Sequence, residues 1–270
     1  MPLPFPFTVY GASRSSAPTD DCFTYCYGGD WVQGKVGNYG MQFDGGASVA
    51  AGGNIDINNV SDIVACSKIS ISFWVKLRAI DTTGTYDEPI FSITQAGTST
   101  DLFEIYVKNQ SSGTTTFIGT ATTSQIDIGA DDLKTGQTIE AGEWNHIVIT
   151  GDSSEAQIYL NGELADTDTT NTGWWNSLTA PDSVILGGLN WSFNVPTFDG
   201  EIDEFAIWDV KLTPAQISLL STGSARADSI TPPAASDGDW STTYKKIGSQ
   251  AVHINNPLAN ASGVTASLDL

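Results

Sequence analysis

The chain has 270 residues, with 31 acidic and 11 basic side chains and a formal net charge of −20 at pH 7. Such a charge repels nucleic-acid phosphates and anionic lipid headgroups, so neither nucleic acid nor membrane is expected as a partner. Apolar residues make up 40% of the chain, enough for a large core. No apolar run reaches the roughly 20 residues of a membrane helix, and the start, MPLPFPFTVYGASRSS, lacks the basic stretch of a signal peptide.

Residues 1–30 predict an extended N-terminal arm, because prolines, serines and aspartates separate scattered aromatic residues there. The arm contains Cys22 and Cys26, and the third cysteine of the chain is Cys66. An odd count argues against a disulfide framework, and no CxxC or neighbouring histidine completes a zinc site. Ordinary thiols are therefore expected, and a pairing of Cys22 with Cys26 stays open.

Strand signals recur at short intervals through residues 31–223. Each is a short run rich in valine, isoleucine and aromatic residues, bounded by glycine, asparagine or aspartate. The runs are GMQFDG, ASVAAG, ISISFWVKLRAI, EPIFSIT, LFEIYVKN, TTFIGTAT, EWNHIVITGD, AQIYLNGELADT, SVILGGL and EIDEFAIWDV. Many short strands of this kind predict an all-β fold with antiparallel pairing, either a sandwich or a barrel.

One short helix is predicted, in the segment LTPAQISLLSTG. Thr213 is suited to the N-cap, Pro214 to the first helical position, and Gly223 to the stop. After Gly223 the composition becomes linker-like and poor in large apolar side chains. Residues 224–270 therefore predict a second, C-terminal arm.

Four segments, taken in this order, resemble the laminin-G-like, or concanavalin A-like lectin/glucanase, jelly-roll domain. They are GKVGNYGMQFDGGASVA, ISISFWVKL, GEWNHIVITGDSSEAQIYLNGELADT and GEIDEFAIWDVKLTPAQISLL. The resemblance covers residues 31–223 and implies two stacked, curved antiparallel sheets, whereas neither arm matches the family. Members of the family bind sugars, bind proteins or form parts of larger assemblies, and some relatives are glycoside hydrolases or lyases. The fold therefore leaves the function open.

The segment DGEIDEFAIWD is similar to the E-I-D-x-x-E strand motif of the family's retaining glucanases. Alternation along a strand places Glu201, Asp203 and Phe205 on one face and Glu204 on the opposite face. A retaining glycosidase needs a nucleophile and an acid, two carboxyl groups about 5–5.5 Å apart. Phe205 and the alanine after it leave the acid position empty. With His146 expected to be a structural histidine of an alternating strand, the chain is predicted to be no enzyme and to have no catalytic residues.

The resemblance also implies a structural calcium site. Such domains often hold one Ca²⁺ with an aspartate of the final strand and carbonyls of an early loop, which correspond here to Asp203 and to Asp44 with Gly45. Calcium takes six to eight oxygen ligands, and mixed carboxylates and carbonyls supply them. The alternative is that Asp44 and Asp203 only make hydrogen bonds at a turn and a strand end.

Tryptophans in predicted loops are the candidates for carbohydrate binding. Trp174 and Trp175 lie in NTGWWNS, and Trp191 lies in GGLNWSFN. A sugar site needs exposed aromatic rings beside amide and carboxylate groups, which these loops contain. The alternative is that these tryptophans cover a sandwich edge or fill an interface.

Two non-enzymatic functions fit these observations. The first is a structural virion protein, such as a bacteriophage capsid decoration or fibre-associated protein, whose lectin-like domain contacts host glycans at the virion surface. Segments as polar as the two arms cannot form a core alone, so they would bind subunits of a viral shell or other copies of the chain in a homo-oligomer. Arms that wrap their own sandwich are the alternative. The second function is a soluble, extracellular carbohydrate-binding module, with or without a structural calcium.

Overall fold

A computed structural model describes residues 23–27, 30–36, 40–46, 54–57, 60–78, 88–95, 102–108, 117–123, 133–136, 139–169, 178, 180–189, 197–227 and 230. The strands are β1 (Phe23–Tyr27), β2 (Asp30–Val32), β3 (Gly40–Gly46), β4 (Asn54–Ile57), β5 (Ile69–Leu77), β6 (Glu88–Thr94), β7 (Leu102–Lys108), β8 (Phe117–Thr123), β9 (Leu133–Lys134), β10 (Trp144–Gly151), β11 (Ala156–Leu160), β12 (Glu163–Asp168), β13 (Ser183–Leu186) and β14 (Thr197–Trp208). The helices are α1 (Val60–Ala65) and α2 (Pro214–Ser221).

The described strands form two antiparallel sheets of seven strands each. The front sheet has the order β12-β11-β10-β5-β14-β3-β2, and the rear sheet has the order β1-β4-β13-β6-β7-β8-β9. Strands that are distant in sequence lie side by side in both sheets, as β5 does between β10 and β14. The predicted all-β fold of two antiparallel sheets is confirmed.

The core between the two sheets is built from the alternate residues of their strands. In β5 the inward positions are apolar, and the ring of Phe73 stacks on Phe205 of β14 at 6.2 Å. Phe205 also meets Phe91 of the rear sheet, with ring centroids 5.5 Å apart. Aromatic contacts of this kind stabilise the core beyond their buried area, and here they join the two sheets.

Helix α2 covers one end of the outer face of the front sheet. Its buried residues Ile217 and Leu220 pack in a second apolar cluster with Trp208 of β14. At this end the Ser70 hydroxyl donates to the Val210 carbonyl and accepts from the Leu212 backbone N–H. The other end of the same face lies beyond the helix, and its side chains reach solvent.

The start of α2 agrees with its sequence signal. The Thr213 hydroxyl accepts from the Gln216 backbone N–H, and the Gln216 side chain accepts from the Thr213 backbone N–H. This reciprocal capping box satisfies two donors that the first turn leaves without helical partners. Gly223, at a φ of 67°, adopts the left-handed conformation that ends helices.

Several elements differ from the sequence prediction. The sequence does not predict helix α1 or the short strands β4 and β9. Strand β1 lies inside the predicted N-terminal arm of residues 1–30, and it pairs with β4 of the sandwich. In the predicted C-terminal arm, residues 224–270, Ala227 and Ile230 are buried in the cluster beneath α2. The other residues of both arms, apart from 224–226 and 30, lie outside the described ranges.

Cys66, directly after α1, is a buried cysteine. Neither helix in the described ranges has the length and apolar character needed to span a membrane.

Candidate functional site

The open end of the front sheet's outer face gathers charged side chains around one indole. Alternation places them on the same face of four neighbouring strands, because every second residue of a strand points the same way. We call this group the outer-face site. Its members are Asp44 of β3, Lys76 and Arg78 at the end of β5, Trp144 of β10, and Asp199 and Glu201 of β14.

Trp144 lies at the beginning of β10, opposite Lys76 of β5, and its side chain is partly exposed. The Lys76 ammonium lies 5.1 Å from the centroid of the Trp144 ring. The same ammonium is 2.6 Å from the carboxylate of Glu201, whose side chain is 19% exposed. An aromatic surface, a cation and a carboxylate therefore stand side by side at the solvent boundary.

Arg78 occupies the neighbouring part of the site and bridges two carboxylates. Its guanidinium lies 2.8 Å from Asp44 and 3.0 Å from Asp199, which are opposite each other on β3 and β14. The hydrogen bond from Arg78 lowers the pKa of Asp44, whereas burial raises the pKa of Asp199. The guanidinium therefore donates a hydrogen bond to Asp44 and forms an ion pair with Asp199.

A buried row of the same face lies next to the outer-face site, towards the end of the sheet that α2 covers. His146 is opposite Trp74, with ring centroids 5.0 Å apart, and its Nε2 lies 3.0 Å from the Ser72 hydroxyl. Burial lowers the pKa of His146 to about 3, so the imidazole is neutral at physiological pH. The Lys35 ammonium lies 5.1 Å from the Trp74 ring and covers it on the solvent side.

A β-bulge in β14 changes which residues share this face. The pairing of β14 with β5 shifts between Asp203 and Ala206, and Glu204 adopts a φ of 50°. An extra residue of this kind reverses the alternation beyond it. Phe205 consequently enters the core between the sheets, while Ala206 packs in the outer cluster with Trp208.

Two of the sequence predictions for this segment are therefore wrong. Phe205 does not share the face of Glu201 and Asp203, since the bulge turns it inward. Glu204 does not point to the opposite face either, because its carboxylate accepts from the backbone N–H of Ala227 at 2.9 Å in the outer layer. The next residue of β14 in the outer layer, Ala206, carries no carboxylate, and the buried Glu204 carboxylate is held by the Ala227 backbone N–H.

Asp203 is a fully buried carboxylate that fixes the chain in front of it. It accepts from the Val36 backbone N–H and from the Glu204 backbone N–H, each at 2.8 Å. Burial raises the pKa of Asp203 to about 6. An acid with that pKa is suited to proton transfer, but Asp203 has no exposed surface and a substrate does not reach it.

The predicted calcium ligands are not gathered in one place. Asp44 is opposite Asp199, whereas Asp203 lies four residues further along β14, roughly 13 Å away at the rise of a strand. Asp44 is engaged with Arg78, and Gly45, at a φ of 62°, packs near Asp199. Within the described ranges no three histidine, cysteine, aspartate or glutamate side chains are placed to share a metal. Calcium binding by Asp44, Gly45 and Asp203 stays a prediction.

The predicted sugar-binding residues Trp174, Trp175 and Trp191 lie outside the described ranges, so their role also stays a prediction. The outer-face site contains Trp144, for which the sequence predicts only a place at the beginning of a strand. A signal was present in ISISFWVKL, where Lys76 follows Trp74 at an alternate position of an otherwise apolar strand. A charged side chain there indicates that this end of the face is open to solvent.

Comparison with known proteins places this architecture among lectin-like domains. A sequence profile described as the concanavalin A-like lectin/glucanases superfamily matches residues 47–218. A search of curated proteins found no match to the chain.

Solved structures with a similar fold include two carbohydrate-binding domains. Domain 4 of AbnA, an extracellular GH43 arabinanase from Geobacillus stearothermophilus in complex with arabinotriose, is 22% identical, with 72% of this chain and 81% of that chain covered and a TM-score of 0.53. The CBM40 of the Ruminococcus gnavus IT-sialidase, bound to α2,3-sialyllactose, is 15% identical, with 67% and 96% covered and a TM-score of 0.51. At these identities the likeness shows the fold alone.

Proposed function

Because this chain belongs to the concanavalin A-like lectin/glucanases superfamily, we propose that it is a carbohydrate-binding jelly-roll domain whose glycan lies on the outer-face site. The observation that carries the proposal is the arrangement of Trp144, Lys76 and Glu201. The partly exposed indole stands beside an ammonium and a carboxylate that are 2.6 Å apart.

The chemistry of these three side chains suits a sugar. A pyranose or furanose ring has C–H groups on its face and hydroxyls around its edge. An indole offers a broad, rigid surface to the C–H groups, while Glu201 accepts hydrogen bonds from hydroxyls and the Lys76 ammonium donates to them. Small-molecule sites combine aromatic surface and a few fixed polar groups in this manner.

Preorganisation also favours this site. Lys76 is held between Glu201 and Trp144, and Arg78 between Asp44 and Asp199. Side chains fixed before binding lose little conformational entropy when a ligand arrives, and this raises the affinity. The backbones beneath them are closely packed, since a Cβ at Gly200 would lie 2.5 Å from the Lys76 carbonyl oxygen.

The similar structures support a glycan ligand and an extracellular setting. One was solved with arabinotriose and belongs to an extracellular enzyme, and the other was solved with sialyllactose. Both are domains joined to an enzyme, which supports a binding role and not a catalytic one for this chain. We therefore include arabinotriose and sialyllactose among the probes.

A glycan array followed by titration calorimetry tests the proposal. The wild-type protein is expected to bind at least one glycan, and Trp144→Ala is expected to weaken that binding by about tenfold or more, since the loss of one aromatic contact is worth at least ~1.4 kcal/mol. Leu164→Ala is the matched control, because Leu164 is 52% exposed at the edge of the same sheet but lies outside the site. Absence of binding to every glycan on the array would overturn the proposal.

The tryptophans of the predicted loops provide the competing location. If Trp174→Ala, Trp175→Ala or Trp191→Ala abolishes binding while Trp144→Ala leaves it unchanged, the glycan lies on the loops and not on the outer-face site. A role as a virion protein with arms that bind other subunits remains a prediction. It rests on residues 1–30 and 224–270, most of which lie outside the described ranges.

A further inference from the structure

We infer that the outer-face site binds uncharged glycans and discriminates against glycans that carry a carboxylate. This inference rests on the proposed function and specifies its class of ligand. It follows from how the cations of the site are already paired, and it concerns a choice that the two similar structures leave open, since one was solved with a neutral and the other with an acidic sugar.

Each of the two cations of the site already forms an ion pair with at least one carboxylate of the protein. Lys76 is 2.6 Å from Glu201, and Arg78 is within 3.0 Å of both Asp44 and Asp199. Three carboxylates thus face two cations, and the site carries an excess of one negative charge. The net charge of the whole chain, −20, has the same sign.

A glycan carboxylate meets an unfavourable balance at such a site. To pair with Lys76 it would displace Glu201 and leave that carboxylate without its cation, next to a new negative charge. To pair with Arg78 it would do the same to Asp44 or Asp199. Like charges brought together at an interface repel, and such repulsion helps a site to discriminate between ligands.

A neutral glycan requires no such displacement. Its hydroxyls donate to the carboxylate oxygens that face solvent and accept from the ammonium and guanidinium hydrogens, while all three ion pairs stay intact. Asp44 keeps considerable room for this role, with its side chain 52% exposed, and Arg78 is 43% exposed. The lowered pKa of Asp44 keeps that acceptor charged well into the acidic range.

Lys35 is the cation that most directly challenges the inference. It lies over Trp74, next to the outer-face site, and its exposed ammonium is 5.1 Å from the ring centroid. An acidic sugar that reached across Trp74 would meet this ammonium. The Lys35→Gln variant therefore separates an acidic-sugar site at Lys35 from a neutral-sugar site at Trp144.

The experiment is an array on which neutral glycans are printed beside their acidic counterparts, lactose beside 3′-sialyllactose among them, with arabinotriose included. The best pair is then titrated calorimetrically at low and high salt. We expect the neutral member to bind at least about tenfold more tightly, and its affinity to change little with salt, since screening acts on charged ligands.

Glu201→Gln provides the sharper test. It frees the Lys76 ammonium and removes one negative charge, so the preference for the neutral member is expected to narrow by about fivefold, the usual upper size of one solvent-exposed charge pair. Glu163→Gln is the charge-matched control, on the exposed edge strand β12, and should leave the preference unchanged.

The experiment distinguishes failure of this inference from failure of the proposed function. Binding of the acidic member more tightly than the neutral one, or a preference that Glu201→Gln does not alter, would overturn the inference while glycan binding stands. Acidic binding that Lys35→Gln abolishes would move the ligand to Trp74. Binding of no glycan at all would overturn the proposed function itself.

Discussion

Trp74, on β5 of the front sheet, is paired with Asp203 of β14 on one side and with His146 of β10 on the other. Burial disfavours the charged form of both, so it raises the pKa of Asp203 to about 6 and lowers the pKa of His146 to about 3. The two groups therefore change the stability of the fold with pH in opposite directions.

The Asp203→Asn variant isolates the first of these effects. A folded pKa of about 6, above the usual 3.8, means that Asp203 contributes stability that is present below pH 3.8 and lost as pH rises through 6. The free energy of unfolding of the wild type minus that of Asp203→Asn is expected to fall by about 3 kcal/mol over this range. Urea unfolding at pH 4, 5, 6 and 7 measures it, and parallel pH profiles for the two proteins would contradict the account.

His146 is expected to stay neutral far below its usual titration range. Its lowered folded pKa means that its contribution to stability is present above pH 6.5 and is lost as pH falls towards 3. In NMR spectra, the imidazole of His146 should show no titration between pH 7.5 and 4.5. The His146→Gln variant identifies its signal, because only the His253 signal remains in that spectrum. A midpoint near 6.5 for His146 would show that the ring is solvated.

Phe205→Ala tests the β-bulge. If the bulge turns Phe205 into the core between Phe73 and Phe91, the truncation should destabilise the fold by about 3–5 kcal/mol, the usual cost of removing a buried phenylalanine. Leu219→Ala is the control, since Leu219 is 47% exposed on α2 and its loss should cost less than about 0.5 kcal/mol. Equal effects in denaturant unfolding would place Phe205 at the surface.

Thr213→Ala tests the capping box of α2. Loss of the side-chain acceptor for the Gln216 backbone N–H should lower the free energy of unfolding by about 0.5–2 kcal/mol. Thr213→Ser keeps the hydroxyl and should retain most of the stability. A serine variant as unstable as the alanine variant would show that the hydrogen bond is not the cause.

The strands and α2 were predictable because their signals are local. Alternation along ISISFWVKL and the Asn161-Gly162 turn depend on residues adjacent in sequence, and the structure has a two-residue hairpin there, with positive φ at both positions. The carboxylate face was not predictable in the same way. At the bulge, the Glu204 carboxylate accepts from the backbone N–H of Ala227, 23 residues away, and no local pattern reveals this contact.

The outer-face site was missed for a related reason. The sequence points to the tryptophans of predicted loops, at positions 174, 175 and 191, because exposed aromatic residues there have no evident packing role. Trp144 lies within a strand, and its exposure depends on where α2 ends over the front sheet. That boundary is set by tertiary packing of Ile217 and Leu220 against Trp208.

The location of the glycan is tested most directly by the indole N–H resonances of the protein's eight tryptophans during titration with the best array glycan. The resonance of Trp144, assigned with Trp144→Phe, is expected to shift in proportion to site occupancy, while that of the core residue Trp208 stays fixed. Shifts of Trp174, Trp175 or Trp191 with an unchanged Trp144 resonance would contradict binding at the outer-face site.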